Sequence, residues 1–381
     1  MKVMLINEHK IAGGCEVYVQ NLKTLLSDRG HSVECVYINC DKNILENDEY
    51  ALNLNTSRLM KFFISPFKLL KLKRILRKTS PDCVIINNIF SSPFTILGAL
   101  RGYKCIRIVH DYSLVCPKGD CITDSGEVCE GYKFRGCFSS CSYHESKLDL
   151  LVKLLLMINV TKFEKKIMNI YISPSRRLND YALANGFNCC NIPNPLNFVN
   201  YDNKRTFDKR KYVYIGAVNK NKGIYELLSA FEKFAQNRDV RLEIYGKITT
   251  EKDEKNISEY ISDKIIYNGY IVHENIRDVL NDAYVLLVPS FWMENYPTTV
   301  LEGFANGVLV VGSDRGGIPE LLEEGRGICY RFGEDSLLAA LNYTEKLTLN
   351  DYMDMVNRGK RYLMENNNLN IYYGRIMECL R

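Results

Sequence analysis

The chain has 381 residues, 46% of them hydrophobic and 25% charged, and 50 Lys and Arg against 45 Asp and Glu give a formal charge of +5. That length suits two domains, and no apolar run reaches the ~20 residues of a membrane-spanning helix. So small a positive excess, with no interleaved aromatic and basic stripe, argues against a nucleic-acid partner.

Residues 2–7 read directly as a first strand, without a signal-peptide layout. The chain is therefore expected in the cytoplasm, with its 14 cysteines mostly as thiols. A glycine turn, Ala12-Gly13-Gly14-Cys15-Glu16, follows and opens a helix over 14–29. Glycines there permit a tight turn and close approach of backbone to a phosphate or sugar, although any strand-to-helix turn can use them. Further strands are predicted at 31–39, 82–87, 105–110 and 170–174. Residues 194–211, rich in Asn, Asp, Lys and Arg after Asn194-Pro195, read as an interdomain linker. The second half repeats the scheme, with strands at 212–217, 241–246, 265–269, 284–289 and 308–312 and a helix at 224–235. Helical patterns between most strands imply an α/β chain of two Rossmann-like, doubly wound parallel sheets facing a cleft. The expected boundaries are 1–195 for a first domain, 196–361 for a second, and 362–381 for a terminal helix packing back on the first.

Two segments of the first half stand apart. Residues 58–78 carry eight Lys and Arg and no acidic residue, interleaved with Phe62, Phe63, Phe67 and several Leu and Ile. Such a stretch suits the anionic inner face of a membrane, or a helix packed on the sheet with its lysines in water. An apolar helix at 148–160 extends that surface or is simply buried. Five cysteines, Cys116, Cys121, Cys129, Cys137 and Cys141, fall in a glycine-rich stretch with His144 just beyond. A structural zinc held by Cys116, Cys129, Cys137 and Cys141, free buried thiols, and a redox role are all open readings.

The most informative stretch is Met293 to Gly307. Glu294 and Glu302 are eight residues apart, Pro297 suits the opening of a helix, and Asn306-Gly307 suits its end. One carboxylate then precedes the helix and the other lies on it, with free amides between that suit a phosphate. A nucleotide sugar has hydroxyls at both ends of a diphosphate, which matches that layout. Lys220 and Lys222 sit in a turn before another helix, where an ammonium can stabilise charge on a departing diphosphate. His110 and Asp111 end a strand, where open α/β sheets place ligand groups. Ser313 to Glu320 repeats the strand, glycine turn and proline design beside the glutamates.

Taken in order, the Gly-Gly-x-Glu turn, the His-Asp pair, the Lys-Gly turn, the Glu-x7-Glu motif and Gly-Gly-Ile-Pro-Glu resemble glycosyltransferase family 4, retaining enzymes of the GT-B fold. The resemblance covers nearly the whole chain and implies that 1–195 is the acceptor-side domain and 196–361 the nucleotide-sugar-binding domain. It implies transfer of a sugar from a nucleoside diphosphate donor, UDP being favoured, to a hydroxyl of a lipid-linked glycan in surface polysaccharide biosynthesis. It also implies that catalysis needs no metal or other cofactor. On this likeness Glu302 holds the ribose, Glu294 the transferred sugar, and Asn295, Tyr296, Pro297, Thr298 and Thr299 offer amides and hydroxyls to sugar and phosphate. Lys222, with Lys220 near it, binds the diphosphate, His110 faces the donor sugar, Gly13 and Gly14 lie against phosphates and acceptor, and the base sits near Tyr270 and Ile271. One position departs: members commonly carry arginine where this chain has Ala217. A nucleotide-sugar epimerase of the same architecture and a silent, membrane-associated partner of another transferase are the rival readings.

Overall fold

The computed structural model describes residues 1–11, 14–54, 64–89, 91–129, 137, 141, 147–196 and 210–380. They form two compact units, Met1–Ile192 with Tyr373–Arg381, and Pro193–Tyr372.

In the first unit, strands β1 (Lys2–Asn7), β2 (Ser32–Tyr37), β3 (Glu49–Ala51), β4 (Cys83–Ile86), β5 (Cys105–Ile108), β6 (Ile170–Ser173) and β7 (Cys189–Asn191) pair in the order 3-2-1-4-5-6-7. Every pairing is parallel. Val3, Met4, Leu5 and Ile6 are all buried, as expected of a strand covered on both faces. The helices are α1 (Gly14–Asp28), α2 (Pro66–Thr79), α3 (Pro93–Ala99), α4 (Lys147–Glu164) and α5 (Arg176–Ala184). Two buried charge clusters tie elements together. Arg107 in β5 meets Glu164 at the end of α4 at 3.0 Å. Lys10, in the loop after β1, and Lys23 in α1 both bind Glu49 of edge strand β3, at 2.5 and 2.9 Å.

In the second unit, β8 (Lys211–Ile215), β9 (Arg241–Tyr245), β10 (Ile265–Tyr267), β11 (Val285–Val288), β12 (Leu309–Ser313) and β13 (Ile328–Tyr330) pair in the order 10-9-8-11-12-13, again all parallel. The helices are α6 (Ile224–Ala235), α7 (Glu251–Ser258), α8 (Ile276–Asn281), α9 (Thr298–Ala305), α10 (Ile318–Leu322), α11 (Glu334–Lys346) and α12 (Leu349–Asn366). The core is aromatic at its centre: the buried Tyr212 ring meets Phe231, Phe234 and Tyr284 edge-on at 5.4, 5.3 and 5.8 Å, a preferred geometry for aromatic pairs. In each sheet the order reverses between two central strands, β1 and β4 or β8 and β11, and such switch points are where open α/β sheets bind ligands.

The structure differs from the sequence reading in several places. Strands β3, β7 and β13, three residues each, are absent from it, because, unlike the equally short β10, none carries consecutive β-branched residues to mark a strand. The expected terminal helix is two helices, α12 and α13 (Leu369–Leu380). A capping box of Thr348 and Asp351 starts α12. The break falls at Asn367, which is buried and donates through its amide to the Asn194 carbonyl and the Tyr296 hydroxyl. Of the last helix, the residues from Tyr373 belong to the first unit. There Tyr373 meets His31 at 2.8 Å and the Cys379 sulfur lies 3.6 Å from that of Cys190. Most of the linker segment, 197–209, and the basic residues 58–63 lie outside the described residues. In α2, Leu72, Ile75 and Leu76 are buried, while Lys68 and Lys71 are spent on the Leu52 and Ala51 carbonyls, at 2.6 and 2.5 Å. Phe67 and Leu70 remain exposed, as does Ile64 just before the helix.

Candidate active site

The carboxyl end of the second unit's sheet holds most of the candidate residues. At its switch point a cavity of about 140 Å³ is lined by Tyr214 in β8, Gly216 and Ala217 just after it, Lys222, the segment Leu287–Ser290, Glu294, and Pro297, Thr298 and Thr299. Lys222 and Glu294 meet there, Nζ to Oε1 at 2.6 Å, and the Ser290 hydroxyl donates to the same carboxylate oxygen at 2.7 Å. They are the one cation and one anion of the lining. Burial, with the field of Glu294 added, pushes the Tyr214 phenol far above its usual range, so it stays a donor, and it donates to the Ala217 carbonyl at 2.7 Å.

Glycines explain how the Glu294 loop is held. Gly223 adopts φ +70°, and a Cβ there would lie 1.9 Å from the Pro289 carbonyl oxygen. Gly316 adopts φ +61°, and its Cβ would lie 1.9 Å from the Glu294 carbonyl oxygen. Only glycine permits such approaches in the left-handed region. Hydrogen bonds complete the clamp: Trp292 N donates to Asn221 O, Gly317 N to Glu294 O, and Ser313 Oγ to Ser290 O. The Lys-Gly turn and the Gly-Gly turn therefore press on the Glu294 loop from two sides, which spacing along the chain does not reveal.

Helix α9 begins one residue later than expected. Pro297 is its N-terminal cap, at ψ 118°, and Thr298 is the first helical residue. Asn306 and left-handed Gly307 end it as the sequence suggests. Glu302 is buried on α9, and burial holds its carboxyl above the usual carboxylate range, against the opposing pull of His273, 3.5 Å away. Asn295 is buried. The Tyr296 ring lies in the core, its hydroxyl taken up by Tyr362 and Asn367, so only its backbone can serve a ligand. Tyr270 is exposed in the loop after β10, with Ile271 beside it, and the exposed Lys220 makes no ion pair among the described residues.

His110 belongs to the first unit. It follows β5, and its Nε2 meets Asn87 Oδ1 at the end of β4. Asn87 Nδ2 in turn donates to Asn7 Oδ1 at 3.0 Å and to the Cys15 carbonyl at 3.2 Å, and Asn7 Nδ2 donates to the His9 carbonyl at 2.7 Å. Burial pushes the imidazole down to about 4, with Asp111 opposing and Arg107 reinforcing. The Tyr18 ring stands edge-on at 4.9 Å. Asp111 is engaged as a cap, accepting from Ser113 N at 2.8 Å. Gly14 opens α1, and Gly13 lies outside the described residues. Asn7 and Asn87 were missed from the sequence, although each ends an apolar strand on the ligand side of the sheet.

In the cysteine-rich segment, as elsewhere among the described residues, no group of three or more His, Cys, Asp or Glu side chains is arranged to hold a metal ion. Cys116 lies against Asp120 and Cys121, and the hydrogen bond with Cys121, a residue of left-handed backbone (φ 48°), lowers the Cys116 thiol to about 6. His144 lies outside the described residues.

Two doubly wound parallel-sheet units, with the candidate residues at the carboxyl ends of their strands, are the architecture of GT-B glycosyltransferases. The family model described as "Glycosyl transferases group 1" matches residues 200–362, and "Glycosyltransferase Family 4" matches residues 12–124. Together they span more than half of the chain, which belongs to the group 1, family 4 glycosyltransferases. The phosphatidylinositol N-acetylglucosaminyltransferase gpi3 subunit of Schizosaccharomyces pombe is 30% identical over 169 residues, 43% of this chain and 36% of that protein. The chain thus matches only about a third of that relative's length. An uncharacterized 42.6 kDa protein in the cps region of Klebsiella pneumoniae is 24% identical across 84% of this chain and 87% of its own. Among solved structures, Anabaena HepE in complex with UDP has a TM-score of 0.74 at 15% identity, covering 100% of this chain and 99% of that one.

Proposed function

We propose that the chain is a retaining, metal-independent glycosyltransferase that moves a sugar from a nucleoside diphosphate donor to a hydroxyl of a lipid-linked glycan in surface polysaccharide assembly. The observation that carries this is the Lys222–Glu294 pair on the wall of the switch-point cavity, 2.6 Å apart. A diphosphate offers the Lys222 ammonium more negative charge than one carboxylate does, so a donor would draw it away. Glu294 would then be free to accept from sugar hydroxyls, still oriented by Ser290. Lys222 and the first amides of α9 would stabilise the departing diphosphate, and buried Glu302 would accept from the ribose. The leaving phosphate would assist removal of the acceptor proton on the same face of the sugar. UDP is the favoured nucleotide, supported by the UDP in the HepE structure. A polysaccharide product is supported by the relative in a cps region. Among the described residues no helix is long and apolar enough to cross a membrane, and exposed Ile64, Phe67 and Leu70 beside Arg74 and Arg77 would rest on an anionic lipid surface.

The test begins with thermal shifts against UDP-, GDP- and ADP-sugars and continues with turnover of the sugar nucleotide that binds. Glu294→Ala and His110→Ala should each lower transfer and donor hydrolysis, and the product should keep the donor's anomeric configuration by NMR. Unchanged turnover in both variants would sink the assignment of the site, and an inverted product would sink the retaining mechanism.

A further inference from the structure

The chain of amides behind His110 fixes more than its position. A neutral imidazole carries one proton on either nitrogen, and its partners decide which. A side-chain amide can be turned end for end, so the direction of this chain must come from groups that cannot be reversed. Two backbone carbonyls supply it. The His9 carbonyl can only accept, so Asn7 must turn its NH2 toward it, at 2.7 Å, and present Oδ1 to Asn87. The Cys15 carbonyl can only accept as well, at 3.2 Å from Asn87 Nδ2. A reversed Asn87 would set its oxygen against both the Cys15 carbonyl and Asn7 Oδ1. Asn87 therefore turns Oδ1 toward His110 Nε2, and an oxygen acceptor there requires the proton on that nitrogen. Asn7 and Asn87 are 1% and 3% exposed, so little water competes for these bonds.

We propose that Asn87 is a positioning residue that holds the His110 proton on Nε2 and leaves Nδ1 bare as a hydrogen-bond acceptor. Nδ1 makes no hydrogen bond among the described residues. The charged groups that act on the ring are Asp111, which favours a second proton, and Arg107, which opposes it and is itself paired with Glu164. Burial outweighs Asp111, so the ring is neutral at physiological pH. A neutral ring with a bare Nδ1 accepts from a sugar hydroxyl and repels a sugar carboxylate. This consequence rests on the proposed transfer; the position of the proton does not.

The experiment reads the proton directly. The full chain is labelled with 15N-histidine, and long-range 1H–15N spectra are recorded from pH 5 to 8, with His110→Gln identifying the resonance among five histidines. The expected result is a protonated Nε2 and a bare Nδ1 across this range, becoming a mixture of both tautomers in Asn87→Leu. A proton on Nδ1 in the unsubstituted chain, or an unchanged tautomer in Asn87→Leu, would overturn the proposal. Should Asn87→Leu fail to fold, Asn87→Asp keeps an oxygen toward Nε2 and adds a charge. The proton should then stay on Nε2 while the ring's titration moves upward, and a titration that does not move would count against the contact. No turnover enters these spectra, so their failure and that of the proposed transfer are separately visible.

Discussion

Gly316→Ala tests whether the turn after β12 is what holds Glu294. The new Cβ would lie 1.9 Å from the Glu294 carbonyl oxygen and 2.6 Å from its nitrogen, where ordinary contact begins near 3.4 Å. Both are backbone atoms, so no side chain can swing away. The Glu294 loop must retreat by about 1.5 Å, and the 2.6 Å bond from Gly317 N breaks with it. The left-handed backbone at φ +61° adds ~1–2 kcal/mol for a residue bearing a Cβ, and the overpacking ~1–3 kcal/mol. The sum is about 2–5 kcal/mol, less than a typical domain's stability of ~5–15 kcal/mol, so the variant should fold. Because a 1 Å misplacement of a reacting group can cost ~10²-fold, kcat for donor hydrolysis should drop about 100-fold. Gly325→Ala is the control, at φ +71° in the same unit, with its nearest neighbour the Arg358 side chain at an ordinary 3.5 Å. It should lose only the ~1–2 kcal/mol of backbone strain and keep its kcat. Urea unfolding monitored by tyrosine fluorescence, with turnover in parallel, compares the two. If Gly316→Ala matches Gly325→Ala in both measurements, the clamp is not what positions Glu294.

The raised carboxyl of Glu302 gives a signed pH dependence. A ribose needs the ionised form, so calorimetric UDP affinity should weaken as pH falls toward 5 and become flat in Glu302→Gln. Folding stability runs the other way, because a group with a raised folded pKa contributes stability that is present at low pH and lost as pH rises through that pKa. Arg107→Met removes the partner of Glu164, a carboxyl already raised by burial. It should cost the first unit ~3–5 kcal/mol, much of it regained in a second substitution, Glu164→Gln; chemical denaturation of the single and double variants checks this. Phe67→Ser with Leu70→Ser should lower sedimentation with phosphatidylserine vesicles while leaving Tm unchanged, since both side chains are exposed. Equal binding by the double variant would remove that helix from the membrane proposal.

The sequence shows strands that are buried on both faces and long enough to display an apolar run. β1 appears at its observed bounds, and β4, β5, β8, β9 and β11 differ by one or two residues at their ends, where fraying and short turns blur any boundary. β3, β7 and β13 are three-residue sheet edges that, unlike the equally short β10, carry no pair of β-branched residues to mark them. The Glu294 and Glu302 motif was legible because its parts are consecutive: a strand, a loop, a proline and a helix. The contacts that give it meaning are not. Gly316 and Glu294 are 22 residues apart, and Asn87 and His110 are 23 apart; each pair is joined by strands lying side by side. A glycine-glycine turn reads from sequence as flexibility, whereas Gly316 serves as clearance for another loop's backbone. Tyr296 belongs to the same contiguous motif, yet its ring lies in the core and Tyr362 and Asn367 take up its hydroxyl, so the role the sequence gives it falls to its backbone.

Ala217 lines the same cavity as Lys222 and Glu294. An arginine there would stand beside Lys222 in a lining whose one anion is Glu294, leaving a net positive charge in the unliganded unit. With alanine the lining is balanced, one ammonium against one carboxylate at 2.6 Å. The Ala217 carbonyl is satisfied by a phenol that burial keeps protonated. A donor diphosphate would therefore gain Lys222 only by replacing Glu294, and part of the Coulomb energy would go into breaking the pair already present. The helix amides at Thr298 and Thr299 carry no such cost, because no carboxylate must be displaced from them first. Alanine at this position thus moves weight from side-chain charge to the start of α9. Donor binding should accordingly depend less on salt than an arginine-lysine pair would make it, since one cation fewer meets the diphosphate and salt screens each charge–charge attraction at a solvent-accessible site.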